Sequence, residues 1–312
     1  MAMTVADGAR RIVTVCAGVQ PGERVAVLLD DDVREGVAGA LADAVSAVGA
    51  QPVLHRIDLA EAYDDDLLGH DVMLGLTGSS LYHSDLGRAA AARGTRVLAL
   101  TACDEGTFSG GAIEADFAAL EPRALDLSDR LGRADAIEVT TPRGFHLTAD
   151  ISGREGYSCT GRATTPGSRS GCPDIEAYIA AVEDSVEGTV VVDGSSTPYG
   201  LLDEPVTITV AGGRATDVKG GEHADLLRDF LDANGPDART FAEFGFGLNP
   251  CAKVIGKIIE DEATYGTGHV AFGSNESFGG HTRAPIHLDL VYWHPTLTLD
   301  GVVVMRGGVL EV

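Results

Sequence analysis

A chain of 312 residues is longer than one small core requires and points to two domains or one large one. Its net charge of −24 excludes a nucleic-acid or anionic-membrane surface, because phosphate binding needs clustered Lys and Arg. The acidity reads chiefly as solubility, with a smaller share left for metal-binding carboxylate. No apolar run reaches the roughly 18 residues needed to span a bilayer. The five cysteines are odd in number and contain no CxxC pair, so a disulfide framework is not expected.

The N-terminal stretch MAMTVADGARRIVTVCAGV is amphipathic and broken by charge, unlike the continuous apolar core of a signal peptide. It is expected to be the first helix of a cytoplasmic protein. ERVAVLLD (23–30) is an apolar, β-branched run, followed by an alanine-rich helical pattern over 33–50 that ends near Gly49. Further strands are expected at 51–59, 71–78 and 96–102, with a helix from about Asp85 to Gly94. Strands alternating with helices of this length imply βαβ units and a parallel sheet covered on both faces. TGSS (77–80) follows a strand and precedes a helix but lacks GxGxxG and a Walker Lys, so it reads as a helix cap. Ser79, Ser80 and His83 do not make a hydrolase triad, since no GxSxG elbow appears.

After about residue 135 the pattern changes. AIEVTTPRGFHLTADISGREG alternates apolar and polar around a turn, as in an antiparallel hairpin. The β signal continues at 188–196, 205–221, 268–275, 284–293 and 297–312. It is interrupted by a helix at 222–235 and a shorter one after Asn249. The expected fold is an α/β domain with a parallel sheet at 1–135 and a β-rich α+β domain at 136–312 carrying a metal site. SCTGRATTPGSRSGC (158–172), poor in apolar residues, is expected to be a mobile loop, and the cysteines to be buried thiols for the most part.

Four of the nine His residues, His269, His281, His287 and His294, fall in the last part of the chain. Carboxylates interrupt apolar or glycine-rich stretches there: Glu176 in PDIEAYIA, Glu243 in FAEFGFGLNP and Asp289 in APIHLDLV. His287 and Asp289 are two apart on a strand and share a face. Neutral imidazole and ionised carboxylate are good ligands for a divalent ion, and an ion offsets the cost of burying them. Gly245, Gly247, Gly273, Gly279 and Gly280 clear side chains beside Glu243 and His269, either for close approach or as bulges and turns.

The order AEFGFGLNP, DEATYGTGHVAFGSN, FGG and IHLDLV resembles the C-terminal half of aminopeptidase T-type metallopeptidases, over roughly residues 170–300. That resemblance implies a two-ion centre in the C-terminal domain and a homodimer. It implies Glu176, Glu243, His269, His287 and Asp289 as metal ligands, with Glu243 shared between ions. It further implies a metal-bound water as nucleophile, Zn, Co or Mn as the ions, and a carboxylate such as Glu176 as proton donor. Where the family carries a catalytic Tyr this chain has SNESFGG, with Asn275 and Glu276; Glu276 or His281 is the candidate replacement. The shorter length and the EDSVEGTVVVD stretch resemble a sister group, the 2,5-dihydroxypyridine 5,6-dioxygenases. These hold one non-haem Fe(II) on two His and a carboxylate, with a His where this chain has Glu243. Here the second His would be His269.

The leading expectation is a metallohydrolase of aminopeptidase type, cleaving an amide or N-terminal peptide bond of a small molecule or short peptide. The alternatives are an Fe(II) ring-cleaving dioxygenase and a non-catalytic ligand-binding protein with a vestigial site.

Overall fold

The short apolar runs at 24–29, 72–76 and 96–99 are buried on both faces, which a parallel sheet under helices provides, whereas the edge run at 51–56 is not. In this computed structural model, which describes residues 2–30 and 35–311, they pair as expected. The strand order is Gln51–Arg56, Arg24–Leu29, Val72–Leu76, Arg96–Ala99 and Arg169–Gly171, every pairing parallel. The helix expected at 33–50 is Glu35–Ala47, and positions 33 and 34 of that expectation lie outside the described residues. The helix at Asp85–Ala92 is capped by Ser84, whose hydroxyl accepts from the Gly87 N–H at 3.0 Å. TGSS is therefore a turn rather than the cap: the Gly78 N–H donates to Asp30 and the Thr77 hydroxyl to the Ser79 carbonyl.

Two features were not legible locally. Phe117–Arg133 is a 17-residue helix where no element was expected. The stretch 158–172, expected to be a mobile loop, instead supplies the fifth parallel strand, pairing Val97 with Arg169 through Ala99 with Gly171. Its long-range partner, and not its own composition, orders it. The chain divides into two units. One runs to Pro122 and includes Cys159–Ile175, and the other comprises Arg123–Ser158 and the chain from Glu176 onward.

The second unit is built on antiparallel pairing. An eight-stranded sheet runs Arg214–Lys219, Val206–Ala211, Glu187–Val192, His146–Asp150, Ala136–Thr140, Thr296–Leu299, Val302–Arg306 and Val309–Leu310. The helix Glu222–Ala233 buries Ala224, Leu227 and Leu231, the one-face spacing of an amphipathic helix. A seven-stranded sheet runs Gly200–Leu201, Ser195–Ser196, His287–Trp293, Thr267–Gly273, Phe241–Gly247, Glu176–Ile179 and Gly156–Cys159. All five cysteines are free thiols, four of them buried. No helix among the described residues is long and apolar enough to cross a membrane.

Candidate metal centre

Four neighbouring strands of the seven-stranded sheet carry the five residues that sequence singles out as ligands. Pairing sets Gly247 opposite Glu176, Gly245 opposite both Tyr178 and His269, Ala271 opposite both Glu243 and Asp289, and Gly273 opposite His287. Positions two apart on a strand point the same way, so all of these share one face. Phe244, Phe246, Val270, Phe272, Leu288 and Leu290 take the other face and are wholly buried. A register shift between Phe241 and Glu243 moves Phe241 onto that apolar face, where its ring lies 4.6 Å from Phe244 and 5.6 Å from Phe272. The bulge thus separates an apolar face from a chemical one within a single strand.

Small residues alternate with long ones across the chemical face, which lets the long side chains converge. A Cβ on Gly245 would sit 2.0 Å from His269 Nε2, so the imidazole lies where that side chain would be. Lying over Gly245, His269 brings Nε2 to 3.2 Å from Glu176 Oε2 and 3.3 Å from Glu243 Oε1. The other Glu243 oxygen faces His287, with Nε2 to Oε2 at 3.4 Å, and His287 Nε2 is 3.2 Å from Asp289 Oδ1. Glu176, Glu243 and His269 each offer a ligand atom within 4.8 Å of the other two. The structure therefore brings all five residues together as two donor sets meeting at Glu243. The set around His269 is the deeper one, its imidazole 1% exposed, whereas the His287 side chain is 30% exposed.

The protonation pattern favours a cation. His287 Nδ1 lies 2.8 Å from the Ser274 carbonyl, an oxygen that only accepts, so Nδ1 carries the hydrogen. Nε2 is left to face carboxylates. Burial pushes the His287 ring toward neutrality, but Asp289 and Glu243 outweigh it and hold its pKa well above the ordinary value. Burial likewise pushes Glu243 up, and His269 and His287 override it to hold the carboxyl low. Three carboxylates and two imidazoles gathered at one buried place need positive charge. A divalent ion at the Nε2 atoms supplies it and suits this mixed N/O donor set. The residues fit a metal.

Glu276 and His281 lie elsewhere on residues 274–286, both exposed. Glu276 faces Arg283 at 3.8 Å, and the His281 backbone N–H donates to Glu183 at 2.6 Å. Asn275, at the place of the peptidase Tyr, is buried and accepts from the Thr282 N–H at 2.8 Å, so it holds the loop together. Sequence reasoning passed over Ser274, Arg154 and Glu183. Glu183 opens the quoted EDSVEGTVVVD stretch, but nothing local says that its carboxylate reaches residues about a hundred positions away.

A family model described as NicX: 2,5-dihydroxypyridine 5,6-dioxygenase matches residues 55–312. A 2,5-dihydroxypyridine 5,6-dioxygenase from Pseudomonas putida is 27% identical over 199 residues, covering 60% of this chain and 57% of that protein. The chain thus matches somewhat over half the length of this relative. The structure of 2,5-dihydroxypyridine dioxygenase from Pseudomonas putida KT2440 superposes with a TM-score of 0.83 at 21% identity, covering 99% of this chain and 97% of the other. Wild-type AmpT from Thermus thermophilus gives 0.68 at 17% identity, with 99% of each chain covered. Both show a shared fold. The family match overturns the leading expectation: the chain is not assigned to the aminopeptidases, and the hydrolase and metalloprotease reading is withdrawn in favour of the sister resemblance. The motif order misled because both groups share a fold, and a shared fold does not fix the chemistry. Matched over most of its length, the chain belongs to the 2,5-dihydroxypyridine 5,6-dioxygenase family.

Proposed function

We propose that the chain is a metal-dependent ring-cleaving dioxygenase acting on a small hydroxylated nitrogen heteroaromatic of the 2,5-dihydroxypyridine class, with its metal centre in the second unit. The observation that carries this reading is the convergence of His287, Asp289 and Glu243 at the exposed edge of the buried cluster, in a chain of this family. His287 Nε2, Asp289 and one Glu243 oxygen form the outer, more exposed donor set, and we assign the ferrous ion to it, with one His and two carboxylates in place of the expected pair of His that included His269. His269, Glu176 and the other Glu243 oxygen form the inner set, a second place for a divalent ion. A bound ferrous ion supplies the redox chemistry by which dioxygen enters the ring.

The protein's own part is to set the donors and exclude water. The Ser274 carbonyl fixes the His287 ring, the small floor of Gly245, Ala271 and Gly273 keeps the ligands converging, and the apolar opposite face keeps the sheet rigid. Glu276 and His281 stay candidates for proton handling, both exposed on the loop whose Ser274 carbonyl meets His287. A homodimer is the expected assembly, checked by sedimentation.

The test is anaerobic reconstitution of the full chain with Fe(II), followed by 2,5-dihydroxypyridine and dioxygen in an oxygen electrode. One dioxygen consumed per ring, with loss of the aromatic absorbance and no turnover on Zn(II), is the expected outcome. A chain that retains iron yet consumes no oxygen sinks the reading and leaves a binding protein with a vestigial site.

A further inference from the structure

The outer donor set depends on one backbone atom, the Ser274 carbonyl, and something must hold that atom in place. Ser274 follows directly on the strand Thr267–Gly273 and opens a loop that returns to the strand His287–Trp293. The base of the loop is closed by its own backbone, the Ser274 N–H donating to Ile286 at 2.8 Å and the Asn275 N–H to Thr282 at 3.1 Å. Its tip is held from outside. Glu183 Oε1 accepts from the His281 N–H at 2.6 Å and from the Asn275 side-chain amide at 3.5 Å. Glu183 Oε2 pairs with Arg154 at 2.5 Å, and the other arm of that guanidinium donates to the Gly279 carbonyl. The Arg154 side chain is 9% exposed and that of Glu183 22%.

A largely buried ion pair is a poor way to add stability, because desolvating both charges offsets most of their attraction. This pair directs its remaining valences at the backbone of one loop. The planar fork of Arg suits it to grip Glu183 and the Gly279 carbonyl at once, which Lys does not do. Tight packing leaves the loop little alternative: a Cβ on Gly280 would lie 1.9 Å from the Asn275 side chain.

We propose that Arg154 and Glu183 are positioning residues for the metal centre, gripping the 274–282 loop so that the Ser274 carbonyl holds His287 with Nε2 toward Asp289 and Glu243. This rests on the reading of those residues as metal ligands. Groups that orient a ligating imidazole through its second nitrogen typically matter 10- to 100-fold for metal affinity, and here the orienting group is itself oriented.

The test uses Co(II) as probe on the intact chain, with dissociation constants from competition against a chromophoric chelator and the visible absorption spectrum recorded at saturating cobalt. Wild type is expected to bind with a ligand-field spectrum that His287→Ala alters or abolishes; failure of wild type to bind sinks the ligand assignment itself. Given binding, Glu183→Gln and Arg154→Met are expected to weaken affinity roughly tenfold or more and to shift the bands at saturation. Arg154→Lys is expected to fall between them and wild type. A merely structural role lowers the melting temperature but leaves the saturated spectrum unchanged. Glu311→Gln, which removes an exposed pair with Arg306, is the control and changes neither. Unchanged affinity and spectrum in Glu183→Gln overturn the proposal while leaving the metal centre standing. Should Arg154→Met not fold, Glu183→Gln and Arg154→Lys decide.

Discussion

Gly245 shows how much of the centre depends on the absence of one side chain. Its own strand brings Glu243 into the cluster, but His269 comes from the neighbouring strand, and only an empty position opposite lets the imidazole lean across to Glu176. Gly245→Ala puts a methyl group 2.0 Å from His269 Nε2. Overpacking of this kind costs about 1–3 kcal/mol, which thermal unfolding measures. The larger expected effect is on the site: the ring swings away from Glu176 and Glu243, and metal affinity falls roughly tenfold or more. Equal metal affinity in the variant contradicts the account of why this position is Gly. The glycines were visible in the sequence as punctuation beside Glu243. Which of them made room for a ligand was not, because that depends on the register between two strands separated by a loop.

The strands of the seven-stranded sheet divide their labour by face. Phe244 and Glu243 are adjacent in sequence yet serve opposite sides, one packed with Phe241, the other meeting two imidazoles. Phe244→Ala is therefore expected to cost about 3–5 kcal/mol of stability, with metal stoichiometry unchanged below the lowered melting temperature. Loss of metal from the still-folded variant tells against the separation of faces. At this scale the sequence was most informative where one face was buried and one was not, or where both were buried, since a period of two or a continuous apolar run survives inspection. It was least informative for Phe117–Arg133, whose apolar positions are diluted by six charged residues and a Pro within LEPRALDLSDRLGR, although Asp116 caps it by accepting from the Ala119 N–H at 3.2 Å. It failed also for Arg169–Gly171, three residues whose only reason to be extended is the edge of a sheet assembled seventy residues earlier. Alternation of period two brought His287 and Asp289 together on paper; the convergence of Glu176 and Glu243 on them needed the folded sheet.

At the scale of the whole molecule, the excess of acid makes the chain responsive to cations, and the sign of that response can be worked out. Without an ion, the carboxylates around His287 hold its pKa well above the ordinary value near 6.5. A group raised in the folded state contributes stability that is fully present below the unfolded pKa and is lost as pH rises through the folded one. Glu243, held low by His269 and His287, contributes in the opposite sense, its share present above the ordinary carboxylate value and lost on acidification. Metal at Nε2 takes the place of the His287 proton, so binding releases protons and strengthens as pH rises. A ligand at 100 times its dissociation constant stabilises the folded state by about 2.7 kcal/mol. The melting temperatures of metal-loaded and chelator-stripped protein are therefore expected to differ by several degrees. As pH rises above the ordinary imidazole value toward the raised folded-state one, that gap is expected to widen as the stripped protein loses the His287 contribution and the loaded protein does not. His287→Ala removes the proton site and the ligand of the outer set together, and is expected to shrink both the gap and its pH dependence. A gap that narrows toward alkaline pH in the wild type means that the ion is held by groups other than a proton-competing imidazole, and that the cluster on the seven-stranded sheet is not where it binds.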